Sequence, residues 1–227
     1  MTARPAPDTR ARGRFITVEG GEGAGKSTLV ERLVGALGER GIRAVATREP
    51  GGSAGAEEIR ALLLGGATER WDPVAETLLL MAARRDHLRR TVWPAIAAGR
   101  WVVCDRYADS TRAYQGAGKG VDPAFIEHVQ RSVDEGRAPD LTLVLDLPAA
   151  LGRARARARR GKDDAAGDRF EALESSFHER LHSAFRAIAE AEPGRCAVLD
   201  ATAPPDDLLA AALRAIGDRL PLPLRPA

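Results

Sequence analysis

Eight consecutive residues have the types and spacing of a phosphate-binding loop. Gly20 to Ser27 reads Gly-Gly-Glu-Gly-Ala-Gly-Lys-Ser and fits the pattern G-x-x-x-x-G-K-[ST]. In this pattern the glycines let backbone N–H groups surround a triphosphate, Lys26 neutralises its β and γ oxygens, and Ser27 offers a hydroxyl to Mg²⁺. The predicted nucleotide-binding residues are Gly20, Gly21, Glu22, Gly23, Ala24, Gly25, Lys26, Ser27 and Thr28.

The flanking sequence supports this interpretation of the loop. A strand-like run, Phe15 to Val18, precedes it, and apolar residues at three-and-four spacing follow it, which predicts an amphipathic helix whose amino end faces the phosphates. The competing dinucleotide fingerprint G-x-G-x-x-G fails, because its third glycine would fall on Lys26 or Thr28. A Rossmann dehydrogenase is therefore disfavoured.

Two further blocks follow apolar runs and carry charged residues. Asp105 ends the run Trp101 to Asp105, where it could hold Mg²⁺ through water together with Ser27, although an aspartate at a strand end is also a common helix cap. Arg106 comes next and can form a forked contact with a phosphate.

The other block follows the apolar run Arg43 to Thr47, where a Pro-Gly-Gly turn fixes the pair Arg48 and Glu49. Ligands of open parallel sheets bind at this carboxyl edge.

Short polar groups follow Arg106 closely. The segment Ala108 to Gly116 contains hydroxyl and amide side chains that suit hydrogen bonding to a base and a sugar. They belong to Ser110, Thr111, Tyr114 and Gln115.

An arginine-rich segment follows the fourth apolar run. Its members are Arg153, Arg155, Arg157, Arg159 and Arg160, with Arg169 after a polar loop. On a helix, Arg153, Arg157 and Arg160 share one face, while Arg155 and Arg159 point elsewhere. We expect Arg153 and Arg157 to contact the transferring phosphoryl group. The alternative, a nucleic-acid patch, is disfavoured because no aromatic residue is interleaved with these arginines.

Apolar runs alternate with helical patterns along the chain, which predicts an α/β fold with a five-stranded parallel sheet covered by helices on both faces. Within a single domain spanning 14–220, we expect helices near 55–64, 73–98 with Pro94 bending or capping its last turns, 122–135, 148–160, 170–191 and 205–218. The predicted strands are Phe15 to Glu19, Arg43 to Thr47, Trp101 to Asp105, Leu141 to Leu147 and Cys196 to Asp200. Residues 116–121 and 161–167 are predicted to be mobile loops, 152–170 a lid, 1–13 a disordered leader and 221–227 a frayed tail.

Composition limits the class of protein. The net charge of +2 in 227 residues gives no global excess for binding nucleic acid or an anionic membrane, and no apolar run is long enough to span a bilayer. Cys104 and Cys196 lie in apolar runs, which fits a reducing compartment and a cytoplasmic location. The four histidines lack metal-ligand spacing and are expected on helix surfaces; they are His87, His128, His178 and His182.

Together these blocks resemble the thymidylate kinase family. The resemblance rests on the acidic glycine loop, the Arg-Glu-Pro-Gly-Gly turn at 48–52, Asp-Arg-Tyr at 105–107 with Ser-Thr-x-x-Tyr-Gln-Gly after it, and Leu-Asp-Leu-Pro before the arginines. It covers about residues 14–202 in matching order. It implies a P-loop NTPase fold, phosphorylation of dTMP to dTDP with ATP as donor and Mg²⁺ as cofactor, and a homodimer.

The resemblance also implies roles for individual residues. Lys26 and Ser27 match the positions on the ATP phosphates and Mg²⁺, Glu22 the position near the acceptor sugar, and Arg106 the position on the acceptor phosphate. The remaining substrate positions are Arg48, Leu80, Arg84, Thr111, Tyr114 and Gln115, with Arg84 on the pyrimidine O4 and Tyr114 on the deoxyribose. Leu80 departs from the family, which commonly has a Phe that stacks on thymine. Gly23-Ala24 lacks the basic residue found in some members, as in the bacterial subtype whose lid supplies the arginine.

Two other functions stay open on the sequence. Another nucleotide or nucleoside kinase would share the phosphate-binding groups and differ in the base pocket. A regulatory P-loop ATPase or GTPase would hydrolyse its nucleotide and bind partners in a nucleotide-dependent way.

Overall fold

A computed structural model describes residues 12–66, 70–159 and 175–220 of the chain. Its strands are β1 (Phe15–Gly20), β2 (Ala44–Arg48), β3 (Trp101–Asp105), β4 (Leu141–Asp146) and β5 (Cys196–Asp200). All pair in parallel in the order β2-β3-β1-β4-β5, with Phe15 beside Val102 and Ile16 beside Leu141. The predicted five-stranded parallel α/β sheet is confirmed.

Helices connect successive strands. They are α1 (Lys26–Glu39), α2 (Ala54–Leu64), α3 (Pro73–His87), α4 (Trp93–Ala97), α5 (Ala108–Thr111), α6 (Pro123–Asp134), α7 (Ala149–Arg159), α8 (Ser175–Ala191) and α9 (Pro205–Arg219). Two π-helical segments, Leu88–Val92 and Arg112–Gly118, continue α3 and α5. Pro94 is the second residue of α4, which follows the first π-helical segment directly, so the helical pattern continues past it with changed hydrogen bonding.

Successive side chains of β1 point to opposite faces of the sheet and pack into two different hydrophobic clusters. Ile16 and Val18 face a cluster shared with α1 and α9, whereas Phe15 packs with the π-helical turn after α3 and with Tyr107. Since successive strand residues point to opposite faces, Thr17 and Glu19 lie on the same face as Phe15. Glu19 is therefore directed toward the start of α5.

The prediction of a loop at 116–121 is wrong in its first part. Helical turns continue to Gly118, and Gly116 is buried. A Cβ at Gly118 would lie 2.5 Å from the ring of Phe177 on α8. The glycine here permits close packing of two helices rather than chain mobility. The proposed loop at 161–167, most of the proposed lid beyond α7, the first eleven residues of the leader and the tail lie outside the described residues.

Within the described ranges, no helix combines the length and apolar character that crossing a bilayer requires.

Candidate active site

The phosphate loop joins β1 to α1, and its lysine is held against it. Gly25, with φ +87°, precedes the first residue of α1, Lys26, whose Nζ donates to the Gly21 carbonyl at 2.7 Å. Burial and then the charge of Arg106 lower the pKa of Lys26 to about 8, against the opposing effect of Asp105 and nearby glutamates. The ammonium is thus close to neighbouring charges and poorly solvated, so a phosphate oxygen is a favourable further partner.

Ser27 and Asp105 are brought together as the sequence predicts. The Ser27 hydroxyl donates to Asp105 Oδ2 at 2.5 Å across the gap between α1 and β3. Asp105 Oδ1 is buried and has no hydrogen-bond partner among the described residues. Mg²⁺ in phosphate-loop sites takes one or two protein oxygens and completes its shell with water and phosphate. This hydroxyl and carboxylate therefore fit that ion.

Arg106 connects the phosphate loop to the segment after β3. Its backbone is left-handed, with φ +69°, and its guanidinium donates to the Gly20 carbonyl, the Ser110 hydroxyl and Glu22 Oε1, each at 3.2 Å. The guanidinium carbon lies 4.8 Å from the centre of the Tyr114 ring, and the Tyr114 hydroxyl donates to the same Glu22 oxygen. Glu22 and Arg106 thus lie side by side, as the family roles require.

Arg84 is buried in a network of hydrogen bonds. Its Nε donates to Glu49 Oε2 at 2.6 Å, one terminal nitrogen to Gln130 Oε1 at 2.5 Å, and the other to the Thr111 hydroxyl at 3.0 Å. Burial acts to raise the pKa of Glu49, but the charge of Arg84 and the hydrogen bond from His87 outweigh it, so that pKa is below its ordinary value. The guanidinium is fixed in one orientation with an ionised partner.

One open cavity adjoins these groups. It is lined by Glu22, Glu49, Pro50, Arg60, Leu63, Leu64, Leu80, Arg84, Arg106, Tyr107, Ser110, Thr111, Tyr114 and Gln115. Every substrate position predicted from the sequence borders it except Arg48. That side chain is half exposed and pairs with Glu57 at 3.0 Å. Arg60, which donates to the Pro50 carbonyl, lines the cavity instead and was missed because α2 carries no motif.

A second cavity borders the later part of the phosphate loop and the start of α1. It is lined by Ala24, Gly25, Thr28, Leu29, Arg155, Ala201, Ala203, Pro205 and Leu208. Arg155 donates to the Ala201 carbonyl at 2.8 Å. The two cavities therefore flank the phosphate loop, one toward α3 and α5 and one toward α7 and α9.

Comparisons with known proteins agree with this geometry. The family model for thymidylate kinase matches residues 18–211. A thymidylate kinase of Caulobacter vibrioides is 51% identical over 93% of this chain and 99% of its own length, and one of Afipia carboxidovorans is 52% identical over 89% of this chain and 88% of its own length. A crystal structure of thymidylate kinase from Ehrlichia chaffeensis has a TM-score of 0.74 and 30% identity, covering 90% of this chain and 99% of that one.

This chain belongs to the thymidylate kinase family. The resemblance inferred from the motifs is confirmed, as are the P-loop fold and the class of nucleoside-monophosphate kinase.

The arginine-rich helix of this family member packs on the phosphate loop. A Cβ at Gly23 would lie 2.1 Å from the Gly152 carbonyl, so the two backbones touch where only glycines fit. Arg153 borders a small cavity with Gly21 and Glu22, and its Nε is buried without a hydrogen-bond partner among the described residues. Arg157 is exposed, and Arg155, which the helical spacing placed away from the site, lines the second cavity. Arg160 and Arg169 lie outside the described residues.

The expectation of surface histidines is wrong at two positions. His87 is fully buried and links Glu49 Oε1, at 3.0 Å, to the Thr47 hydroxyl, at 2.7 Å. His178 is also buried, on α8. No group of three or more His, Cys, Asp or Glu that could hold a metal occurs in the described part of the chain. His87 is therefore a hydrogen-bonded residue of the interior.

Glu19 is a buried carboxyl that the motifs did not single out. It is fully buried, and burial followed by the charge of Asp109 raises its pKa from 4.5 to about 7, although Ser110, Arg106 and Tyr107 act to lower it. Between these two values the folded chain keeps a proton that the unfolded chain releases. The contribution of Glu19 to stability is thus present below pH 4.5 and is lost as the pH rises through about 7.

The substitution Glu19→Gln tests this linkage. Glutamine has nearly the same volume and does not titrate, so the variant should gain unfolding free energy relative to wild type between about pH 5 and about pH 8. Denaturant unfolding of both proteins at the two pH values measures that change. A difference between the proteins that is the same at both pH values would contradict the raised pKa.

Proposed function

We propose that this chain transfers the γ-phosphoryl group of ATP to the phosphate of dTMP, giving dTDP and ADP. The observation that supports it most is the juxtaposition of Arg106 and Glu22. The two side chains are hydrogen-bonded to each other, and both line the cavity. Glu22 belongs to the phosphate loop, and Arg106 donates to the Gly20 carbonyl of that loop. An acceptor phosphate at Arg106 lies beside the loop that holds the donor.

The cavity offers groups for each part of dTMP. Arg106 presents its guanidinium to the acceptor phosphate, and Glu22 with Tyr114 stands where the deoxyribose would lie. For the base, Arg84 and Thr111 supply polar contacts and Leu80 an apolar surface without an aromatic face. A guanidinium already held by three side chains presents its remaining N–H in a fixed direction, which suits the O4 acceptor of thymine.

ATP is assigned to the phosphate loop and the second cavity. Backbone N–H groups of the loop and the ammonium of Lys26 would bind the phosphates, and Thr28 and Arg155 border a space that fits the adenosine moiety. Ser27 and Asp105 would hold Mg²⁺, which when bound supplies positive charge that disperses the negative charge of the transferring phosphoryl group. Among the described lid arginines, Arg153 borders a cavity together with Gly21 and Glu22, which supports a role for it at the phosphates. Arg157 is exposed and would have to reach the phosphates on closure of the lid.

The chemistry requires alignment rather than an activated side chain. An oxygen of the dTMP phosphate attacks the γ-phosphorus, the bond from that phosphorus to the bridging oxygen breaks, and ADP leaves with the electron pair. Lys26 would exchange its bond to the Gly21 carbonyl for one to a phosphate oxygen. Arg106 donates to Glu22, and Arg153 borders a cavity with the same residue, so two cations would lie near the site where charge accumulates.

Substrate preference tests the proposed function against its alternatives. Purified protein with Mg²⁺ and ATP should release ADP fastest with dTMP in a panel of dTMP, dUMP, dCMP, AMP and GMP. The Arg84 guanidinium accounts for discrimination against dCMP and AMP, because it offers donors to a keto oxygen and no acceptor to an amino group. Chromatography should show dTDP. Preferred turnover of another monophosphate would favour a different nucleotide kinase, and ADP release without any acceptor would favour a hydrolase.

Removal of the Arg106 guanidinium tests the assignment of the acceptor phosphate. Arg106→Ala should raise KM for dTMP about 10- to 100-fold, as expected for charge-assisted hydrogen bonds, and change KM for ATP much less. Arg85→Ala is the matched control, because Arg85 neighbours Arg84 on α3 but pairs with Glu135 outside the cavity. Equal increases in both KM values would show that Arg106 does not act on the acceptor alone.

We also propose a cytoplasmic homodimer. Large apolar side chains remain 44–47% exposed on α2 and α3, at Leu62, Val74 and Leu78. These helices pack against each other and lie beside the substrate cavity through Leu63 and Leu80. Light scattering should give about twice the chain mass of 24.2 kDa, and Leu78→Asp should reduce it. A single-chain mass for the wild type at micromolar concentration would contradict the proposal.

A further inference from the structure

Glu19 occupies a position that links the sheet to the acceptor side of the site. It is the next-to-last residue of β1, directly before the phosphate loop, and its side chain is fully buried on the face of the sheet toward α5. A buried carboxyl is costly unless its oxygens receive hydrogen bonds. The groups that donate to the Glu19 carboxyl therefore indicate its role.

The carboxyl of Glu19 caps the short helix α5 from a neighbouring strand. Its Oε1 accepts from the backbone N–H groups of Tyr107 at 2.8 Å and Ser110 at 3.3 Å, and its Oε2 accepts from the Ser110 hydroxyl at 2.6 Å. Tyr107 is the cap residue of α5, and that helix has no side-chain cap of its own. Glu19 is thus the acceptor for the Tyr107 N–H at the helix start, and it shares the Ser110 N–H with the Tyr107 carbonyl, which accepts from that group at 3.2 Å.

The Ser110 hydroxyl connects Glu19 to Arg106 by hydrogen bonds. It donates to Glu19 and accepts from Arg106 Nη1 at 3.2 Å, so the carboxylate orients the hydroxyl that receives the guanidinium. Arg106 also has a left-handed backbone, with φ +69°, a conformation that is strained for a residue with a Cβ atom. Such a conformation persists only where its surroundings hold it, and the bonds to Tyr107 and Ser110 fix the residues that follow.

We propose that Glu19 is a positioning residue for the acceptor phosphate, which holds Arg106 in place through the Ser110 hydroxyl and the start of α5. The inference rests on the proposed role of Arg106. The charged groups that interact electrostatically with Glu19 are Asp109 and Arg106, which are nearby, and Lys26 and Arg84, which are farther away. Assays at about pH 8, above the pKa of about 7, keep the carboxyl mainly ionised.

Glu19→Gln separates positioning from capping. The amide oxygen can still accept from the Tyr107 N–H, whereas the amide NH₂ replaces the oxygen that receives the Ser110 hydroxyl. That hydroxyl then loses its orientation toward Arg106. We expect KM for dTMP to rise about three- to tenfold, the effect of one lost hydrogen bond, with KM for ATP changed less than about twofold.

A double-mutant cycle distinguishes positioning from general destabilisation. If Glu19 acts through Arg106, adding Glu19→Gln to Arg106→Ala should leave KM for dTMP within about twofold of the single Arg106 variant. Thr17→Val is the matched control, because Thr17 is a buried polar residue on the same strand that bonds Thr142 away from the site. It should lower Tm without changing either KM. Additive effects, equal changes in both KM values, or a lower Tm with dTMP kinetics unmoved would overturn the proposal.

A second variant decides the question if Glu19→Gln does not fold. Ser110→Ala removes the bridging hydroxyl and keeps the backbone cap, so it should give the same selective and non-additive increase in KM for dTMP. An unchanged KM for dTMP in Ser110→Ala would overturn the proposal. Failure of the proposed function is visible separately, since the wild-type protein would then form no dTDP from dTMP. Failure of the role of Arg106 would leave KM for dTMP unchanged in Arg106→Ala alone.

Discussion

Three largely buried cations, Lys26, Arg84 and Arg106, meet the carboxyl edge of the sheet, and each needs compensation within the protein. Moving an unpaired ion out of water costs several kcal/mol, so its partners decide whether the site can exist. Arg84 is held in place by side chains from the turn after β2, from α5 and from α6. Lys26 and Arg106 instead contact backbone carbonyls of the phosphate loop, and Arg106 also contacts Glu22.

This difference divides the site into a fixed and an exchangeable part. The bonds of Arg84 to Glu49 and Gln130 are buried on both sides. Breaking the first would leave uncompensated buried charges, and breaking the second would leave a buried donor and acceptor unpaired. The partners of Lys26 and Arg106 border the cavities, where phosphate oxygens can replace carbonyls at similar distances and with more negative charge. A site of this kind is ordered before the substrates bind, which limits the reorganisation needed for phosphoryl transfer.

Contiguous motifs were predictable from the sequence, and contacts between distant segments were not. Gly20 to Ser27 and Asp105-Arg106 form local signals because one turn supplies all their groups. Glu49 and Gln130 meet Arg84 only because β2, α3 and α6 pack together, and no spacing in the sequence encodes that meeting. His87 was misassigned for the same reason, since its partners Thr47 and Glu49 lie about forty residues earlier. Helical periodicity predicted that Arg153 and Arg155 point to different faces of α7. Both side chains nevertheless border cavities lined by residues of the phosphate loop, because α7 packs closely on that loop.

A crystal structure of the chain with bound dTMP tests most directly the claim that phosphate replaces the protein's own acceptors on Arg106. The predicted result is a phosphate oxygen within about 3 Å of the Arg106 guanidinium, with the bond to Glu22 or the Gly20 carbonyl broken and the bonds of Arg84 to Glu49 and Gln130 unchanged. A phosphate located away from Arg106, or a base that displaces the partners of Arg84, would contradict the account.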